Sequence, residues 1–127
     1  MQVVLVMLRR DGEARSFSIS KDVTILGRGL ECDLRIALPE ISRRHARLVK
    51  SDVEVVLEDL GSANGTKVNG QLVTRRALEA GDKIEFVSVT FVVQIDGEPA
   101  GEDGRITGRE VGHDVAGIER QISDTDV

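Results

Sequence analysis

The sequence predicts an all-β fold of the sandwich type, and three observations lead to that prediction. Up to Ile95 the chain consists of short runs rich in valine, isoleucine and leucine, separated by glycine, asparagine and aspartate. Two dipeptides, Asp11-Gly12 and Asn69-Gly70, tolerate the positive φ angles of tight hairpin turns. No stretch before residue 96 shows a sustained helical period. About ten short strands at this spacing favour a sandwich over a parallel α/β sheet.

Eight of the strands can be placed from their β-branched composition. They cover residues 2–8, 14–20, 23–26, 34–36, 46–50, 53–58, 83–87 and 90–95. Ser51-Asp52 provides a turn between the fifth and sixth strands, and Ser88-Val89 provides a brief connection between the last two. The Asn-Gly pair at residues 69–70 indicates a further hairpin between the sixth and seventh of these strands.

The composition changes after Asp96, which predicts a domain boundary. Glycine and proline interrupt every potential element from Gly97 onward. Residues 1–96 hold 14 basic and 14 acidic side chains, whereas residues 97–127 hold 3 and 8, so the net charge of −5 lies in the second part. We therefore expect one domain over residues 1–96 and a Gly-rich, acidic, largely disordered tail over residues 97–127. Within that tail, residues 114–122 have helical apolar spacing but are too short for a stable isolated helix.

The composition also argues against several functional classes. Three phenylalanines without tyrosine or tryptophan leave little surface for base stacking, and the negative net charge disfavours binding to a phosphate backbone. One cysteine and two histidines supply neither an internal disulfide nor the usual four-ligand zinc site. We expect no nucleic-acid partner, no metal and no cofactor. The first apolar run is short and has no basic leader, so we also expect no membrane association and a cytoplasmic location.

Three loops between predicted strands carry more polar groups than turns require. The first contains Arg28, the second contains Ser42 and Arg43, and the third contains Asn64. Together they offer two guanidinium groups, a hydroxyl and an amide, all of which donate hydrogen bonds. A phosphate monoester carries about −1.5 to −2 charges and three acceptor oxygens, and arginine can bind two of these oxygens at once. The loops therefore predict a phosphate-ester site presented by a rigid β scaffold.

The same loops resemble the forkhead-associated (FHA) family of protein domains. The matching motifs, in the order the family has them, are Gly27-Arg28, Ser42-x-x-His45, Asp59-Leu60-Gly61-Ser62-x-Asn64-Gly65-Thr66-x-Val68-Asn69-Gly70 and Leu78-x-x-Gly81-Asp82-x-Ile84. The similarity covers about residues 3–95. It implies an FHA-type β-sandwich of about eleven mostly antiparallel strands, which binds phosphothreonine peptides through loops at one end.

The resemblance assigns ligand-binding roles to five positions. Arg28 and Ser42 would hold the phosphate, Arg43 would add a contact to phosphate or peptide, and Asn64 would hydrogen-bond the peptide backbone. Ala63 stands where many members of the family have a hydroxyl side chain. The resemblance therefore leaves Ala63 a backbone contact in place of a side-chain contact.

Four further positions would support the geometry of the site. The resemblance implies that Gly27 and Gly65 shape the loops and that His45 braces them from beneath without touching the ligand. Asn69 would form the hairpin turn with the glycine that follows it.

The function that the resemblance implies is a non-catalytic module that recruits partners phosphorylated by a Ser/Thr kinase. The alternative is a protein-interaction scaffold with the same sandwich, which would bind partners independently of phosphate. A third class, an enzyme using His45 as general base for Ser42, has no evident orienting carboxylate or oxyanion site. The tail adds one candidate ligand, because Thr107 or Thr125, once phosphorylated, could occupy the site of the same or a neighbouring molecule.

Overall fold

Eleven β-strands make up the described part of the chain, which comprises residues 1–8 and 13–99 of a computed structural model. The strands are β1 (Val3–Leu8), β2 (Ala14–Ile19), β3 (Val23–Gly27), β4 (Leu34–Arg35), β5 (Ala46–Lys50), β6 (Val55–Asp59), β7 (Lys67–Val68), β8 (Gln71–Leu72), β9 (Arg75–Ala77), β10 (Lys83–Phe86) and β11 (Val89–Ile95). Within these residues no helix has the length and apolar character that crossing a bilayer requires.

The strands form two sheets that enclose one core. The six-stranded sheet has the order β2-β1-β11-β10-β7-β8, and the five-stranded sheet has the order β4-β3-β5-β6-β9. Every pairing between these strands is antiparallel except that of β3 with β4. This arrangement confirms the predicted all-β sandwich of mostly antiparallel strands.

The core lies between the two sheets because alternate side chains of each strand point inward. Leu5 of β1 and Leu57 of β6 are fully buried, one from each sheet. All three phenylalanines join the core, and their rings meet edge to face, with centroids 6.3 Å apart for Phe17 and Phe91 and 5.9 Å apart for Phe86 and Phe91. This packing gives the loops at the ends of the strands a fixed base.

The hairpin between β5 and β6 is longer than predicted. Strand β6 begins at Val55, two residues later than the sequence prediction. The Ser51 hydroxyl oxygen accepts hydrogen bonds from the backbone N–H groups of Val53 (3.3 Å) and Glu54 (3.2 Å), and Val53 is 85% exposed. A serine-centred turn therefore takes residues that β-propensity alone assigned to a strand.

The turn between β10 and β11 lies one residue earlier than predicted. It consists of Val87 and Ser88, and the flanking residues Phe86 and Val89 form the closing pair of the hairpin. Val87 has a φ of 60°, which a β-branched residue rarely adopts. Phe86 and Val89 are both fully buried, so core packing fixes the register against the turn propensity.

The sequence predicted the hairpin turn between the short strands β7 and β8, but it did not predict the short strand β9. The Asn69-Gly70 turn is confirmed, because both residues have positive φ angles (52° and 84°) and join β7 to β8. Strand β9 was missed by the sequence prediction. Arg75 is exposed and Arg76 is half-buried, so the strand shows no apolar alternation that would reveal it. Its pairing with β6 depends on tertiary context.

The described chain continues past the predicted boundary at Asp96. Asp96 and Gln2 exchange two hydrogen bonds, at 2.7 and 2.8 Å. The Gln94 side chain donates to the carbonyl of Pro99 at 3.2 Å. The predicted turn at Asp11-Gly12 and the predicted tail from residue 100, with its helical segment and both threonines, lie outside the described residues.

Candidate functional site

Three loops meet at one end of the sandwich. They connect β3 to β4, β4 to β5 and β6 to β7. The backbone N–H of Arg28 donates to the carbonyl of Ser42 at 2.9 Å, and the N–H of Gly29 donates to the carbonyl of Arg43 at 2.9 Å. The N–H of Ala63 donates to the Ser42 hydroxyl oxygen at 2.9 Å. These bonds bring the three predicted loops into direct contact, with Ser42 in the middle.

Arg28 is half-buried, and a hydrogen bond from its side chain to the neighbouring loop fixes its position. Its Nε donates to the carbonyl of Ile41 at 2.9 Å, and its carbonyl accepts a bond from Nε of Arg35 at 2.9 Å. Among the residues that the structure describes, neither terminal nitrogen of Arg28 has a protein partner. The guanidinium is therefore oriented in advance and keeps the two NH₂ groups with which arginine binds an oxyanion.

The hydroxyl group of Ser42 links two loops through its oxygen, and its hydrogen remains available as a donor. Because the Oγ atom accepts the N–H of Ala63, the hydroxyl hydrogen is left to donate outward. Ala63 is exposed, and this bond already uses its N–H group. The backbone contact that Ala63 can still offer a ligand is its carbonyl.

The side chain of Asn64 is anchored to the loop between β4 and β5. Its Nδ2 donates to the carbonyl of Glu40 at 2.9 Å, while the side chain stays exposed. The carboxylate of Glu40 in turn accepts a hydrogen bond from the Ser88 hydroxyl in the β10–β11 turn. The amide of Asn64 keeps its oxygen and one N–H, which match the donor and acceptor of a peptide backbone.

His45 lies fully buried beneath the loops. Its Nδ1 accepts the backbone N–H of Ser42 at 3.1 Å, so Nε2 carries the proton and donates to the carbonyl of Gly65 at 2.8 Å. The ring packs edge to face on Phe86, with centroids 5.3 Å apart. Both ring nitrogens are committed to the backbone, which agrees with a bracing role and leaves neither to abstract a proton from Ser42.

Gly27 lies where two backbone segments approach closely. A Cβ atom at this position would stand 2.3 Å from the Arg43 carbonyl oxygen and 2.9 Å from the His45 nitrogen. Gly65 has a φ of 85°, which glycine adopts without strain. Both glycines thus permit the contact between loops that the resemblance implies for them.

The side chains of two predicted site residues take no part in this hydrogen-bond cluster. The Arg43 side chain points to solvent and forms an ion pair with Glu31 at 3.6 Å. Asn69 binds the start of β10: its Nδ2 donates to Asp82 at 3.0 Å, and its Oδ1 accepts the N–H of Lys83 at 3.0 Å. Asn69 therefore fixes the β7–β8 hairpin and makes no hydrogen bond to the three loops.

Asp59 organises the third loop, a role that the sequence prediction missed. Its carboxylate accepts the N–H groups of Gly61 (2.9 Å) and Ser62 (3.0 Å), and the hydroxyls of Ser62 and Thr66. Burial by itself would raise the pKa of Asp59, but the hydrogen bonds outweigh it and lower that pKa. The signal was present, because aspartate followed by glycine and serine is typical of a side-chain-capped turn. Glu40 and Ser88 gave no such signal, since they act across long sequence separations.

Cys32 lies under the same loops and is fully buried. Its thiol donates to the carbonyl of Arg43 at 2.9 Å. Burial raises the pKa of the thiol, which disfavours the nucleophilic thiolate. The residue therefore packs beneath the loops and bonds the second of them.

Comparison with known proteins identifies relatives of this site and fold. The profile of the FHA domain matches residues 24–87, about half of the chain. The chain is 35% identical over 89 residues to the proliferation marker protein Ki-67 of Homo sapiens, which covers 68% of this chain and 3% of Ki-67. It is 31% identical over 105 residues to the glycogen accumulation regulator GarA of Mycobacterium tuberculosis, covering 83% of this chain and 64% of GarA. The chain thus spans less than two thirds of either relative.

A solved structure agrees with the sequence relatives. It comes from a structural and functional analysis of phosphothreonine-dependent FHA domain interactions, and it superposes with a TM-score of 0.68 at 30% sequence identity. The match covers 75% of this chain and 97% of that one. The family profile spans the three loops that converge on Ser42, and the sandwich that carries them matches that structure. The chain therefore belongs to the FHA domain family.

Proposed function

We propose that this domain binds phosphothreonine segments of partner proteins, after a Ser/Thr kinase has acted, through Arg28, Ser42 and Asn64. One observation carries the proposal. Each of these side chains is fixed by a backbone group of a neighbouring loop and retains a donor that the described residues do not use. A doubly charged ester would meet donors that need no reorganisation, which favours binding.

The donors divide between the phosphate and the peptide. The two NH₂ groups of Arg28 fit two phosphate oxygens, and the hydroxyl of Ser42 fits the third. Arg43 adds positive charge from the rim, where solvent screens it. Asn64 is left for the peptide backbone, with the Ala63 carbonyl beside it.

Threonine is favoured over serine for a physical reason. The additional methyl contributes up to about 0.8 kcal/mol if it is buried. Its β-branched side chain also loses less rotational freedom on binding, because χ1 is already restricted. Phosphothreonine is therefore the expected ligand.

The domain acts by binding and not by turnover, as FHA domains are phosphopeptide-binding modules. His45, the candidate base, has both nitrogens bonded to backbone groups. The competing possibility is a scaffold that binds partners regardless of phosphate. Phosphate dependence separates the two directly.

An oriented phosphothreonine peptide library, with the same library unphosphorylated, tests the proposal. We expect the full-length chain to retain phosphorylated peptides and not their unphosphorylated counterparts, measured by sequencing the bound pool. Peptides around Thr107 and Thr125 of the chain itself belong in the library as candidate ligands. Equal retention of both libraries would contradict the proposal and favour the scaffold.

A further inference from the structure

The outer face of the six-stranded sheet carries a small apolar cluster. Side chains along a strand alternate between the two faces of a sheet, so Val6 and Leu8 of β1 point away from the core into which Leu5 points. Val92 of β11 lies beside them on the outer face. These three outward side chains, here named the outer patch, form a cluster separate from the core between the sheets.

The outer patch is buried although it lies outside the sandwich. Leu8 is 0% exposed, and Val6 and Val92 are each 3% exposed. The residues opposite them in the strand pairs are polar, because exposed Ser16 faces Val6 and half-buried Lys83 faces Val92. The outward residues of a two-sheet sandwich are typically polar and solvated. Burial as complete as this points to a further layer of protein over the patch.

The chain turns back on itself directly after β11. Asp96 and Gly97 have φ angles of 52° and 82°, and they form a two-residue turn that Ile95 and Glu98 close. Strand β11 already pairs with β1 on one side and with β10 on the other. The returning chain therefore cannot extend the sheet beside β11 and has to leave its plane.

A side-chain hydrogen bond shows on which face the chain leaves. Gln94 points outward like Val92, two residues before it on the same strand. The Nε2 atom of Gln94 donates to the carbonyl oxygen of Pro99 at 3.2 Å. Pro99 thus lies on the side of the outer patch, and the sequence continues from there with residues 100–127.

The sequence beyond Pro99 contains one segment whose apolar side chains suit this patch. Val115, Ile118 and Ile122 recur at helical spacing, so they would lie on one side of a helix over residues 114–122. A helix of this length is marginal in water and needs an apolar surface to pack on. The 15 residues from Pro99 to Asp114 can span about 50 Å when extended, about twice the length of β11.

We propose that residues 114–122 form a short amphipathic helix that packs on the outer patch, as a third layer supplied by the chain itself. A second copy of the chain fits the patch less well, because a stable interface buries about 1,600 Å² in total and the patch consists of a few side chains. A tethered segment can occupy so small a surface, since the tether raises its effective concentration. The layer replaces the disordered tail that composition alone predicts, and its packing requires no phosphate.

Methyl NOE spectroscopy of the full-length chain tests the third layer directly. With the methyl groups of valine, leucine and isoleucine labelled, we expect cross-peaks from Ile118 and Ile122 to the methyl groups of the outer patch. An equimolar mixture of labelled and unlabelled chains, recorded with isotope filtering, should show none of these cross-peaks, because the contact is within one molecule.

A matched pair of variants measures the contribution of the contact to stability. Ile118→Asp places a charge in the apolar side of the segment, so it should abolish the cross-peaks and lower the denaturation temperature by at least about 5 °C. Val127→Asp places the same charge beyond the segment and should leave both unchanged.

Three results would overturn the third layer. The first is a folded parent chain without cross-peaks between residues 114–122 and the outer patch. The second is an Ile118→Asp variant that keeps the cross-peaks and the parent denaturation temperature. The third is a set of cross-peaks that persists in the isotope-filtered mixture, which would identify a second copy as the occupant of the patch.

Discussion

At the scale of single residues, the site depends on contacts that few other amino acids can make. Gly27 allows the first loop to contact the backbone of the second. A Cβ atom at this position would stand only 2.3 Å from the Arg43 carbonyl oxygen, so a larger residue does not fit. Arg28 supplies both an anchoring Nε and two NH₂ groups that the described residues do not use, a combination that lysine cannot offer. The sequence motif predicted these positions. Only the contacts in the folded structure show why each position requires its residue type.

Replacing Gly27 by alanine should displace the first two loops from each other. The added carbon meets backbone atoms, which cannot rotate away, so we expect the free energy of unfolding to fall by about 3 kcal/mol. Phosphopeptide affinity should fall with it. Denaturant unfolding measures the first effect and peptide titration measures the second.

Gly29→Ala is the matched control for Gly27→Ala. The three atoms nearest to its added carbon all belong to the carboxylate group of Glu31, a partly exposed side chain that can move. We expect a change in unfolding free energy within about 0.5 kcal/mol. A Gly27→Ala variant as stable as Gly29→Ala would show that the two loops need not be in contact.

At the scale of elements, strands position the loops and side-chain caps shape them. The β-branched composition predicted the long strands of both sheets, which contribute most of their apolar residues to the buried core. It did not predict β9, whose place at a sheet edge is set by β6. The third loop was predicted from its motif, yet its internal order comes from Asp59, which accepts four hydrogen bonds.

The unfolding free energy should depend on pH through Asp59. The pKa of Asp59 is lowered in the folded state, so the stabilisation is fully present above the unfolded pKa of about 4 and is lost as pH falls through the folded pKa. Denaturant unfolding at a series of pH values should therefore show a loss of stability below about pH 4.

Asp59→Asn isolates the contribution of this carboxylate from other acidic groups. The variant should be less stable at neutral pH and should lose less stability on acidification than the parent chain. Parallel stability curves for the two proteins below about pH 4 would contradict a structural role for the ionised carboxylate.

At the scale of the whole molecule, the fold class and the loop motifs could be predicted from the sequence. The long-range hydrogen bonds that join the loops into one site could not. Composition and turn signals predicted a sandwich, and the motif order placed Arg28, Ser42 and Asn64 on separate loops. The bond from Asn64 to Glu40 and that from Ser88 to Glu40 span 24 and 48 residues. Such partners depend on how the two sheets pack, which local patterns do not specify.

The position of the β10–β11 turn illustrates the same limit. Local propensity disfavours Val87 at a positive φ, and the buried pair Phe86 and Val89 overrides it. The site is therefore a property of the complete sandwich, although its chemistry resides in a few loop residues.

Titration of a library-selected phosphothreonine peptide into the parent chain, Arg28→Ala and Arg76→Ala tests the central claim most directly. Arg76 lies in β9, outside the three loops, and serves as the matched loss of one arginine. We expect Arg28→Ala to weaken binding at least about thirtyfold while retaining the parent denaturation temperature within a few degrees, and Arg76→Ala to bind as the parent does. Parent-like affinity in a folded Arg28→Ala variant would contradict the claim that this guanidinium receives the phosphate.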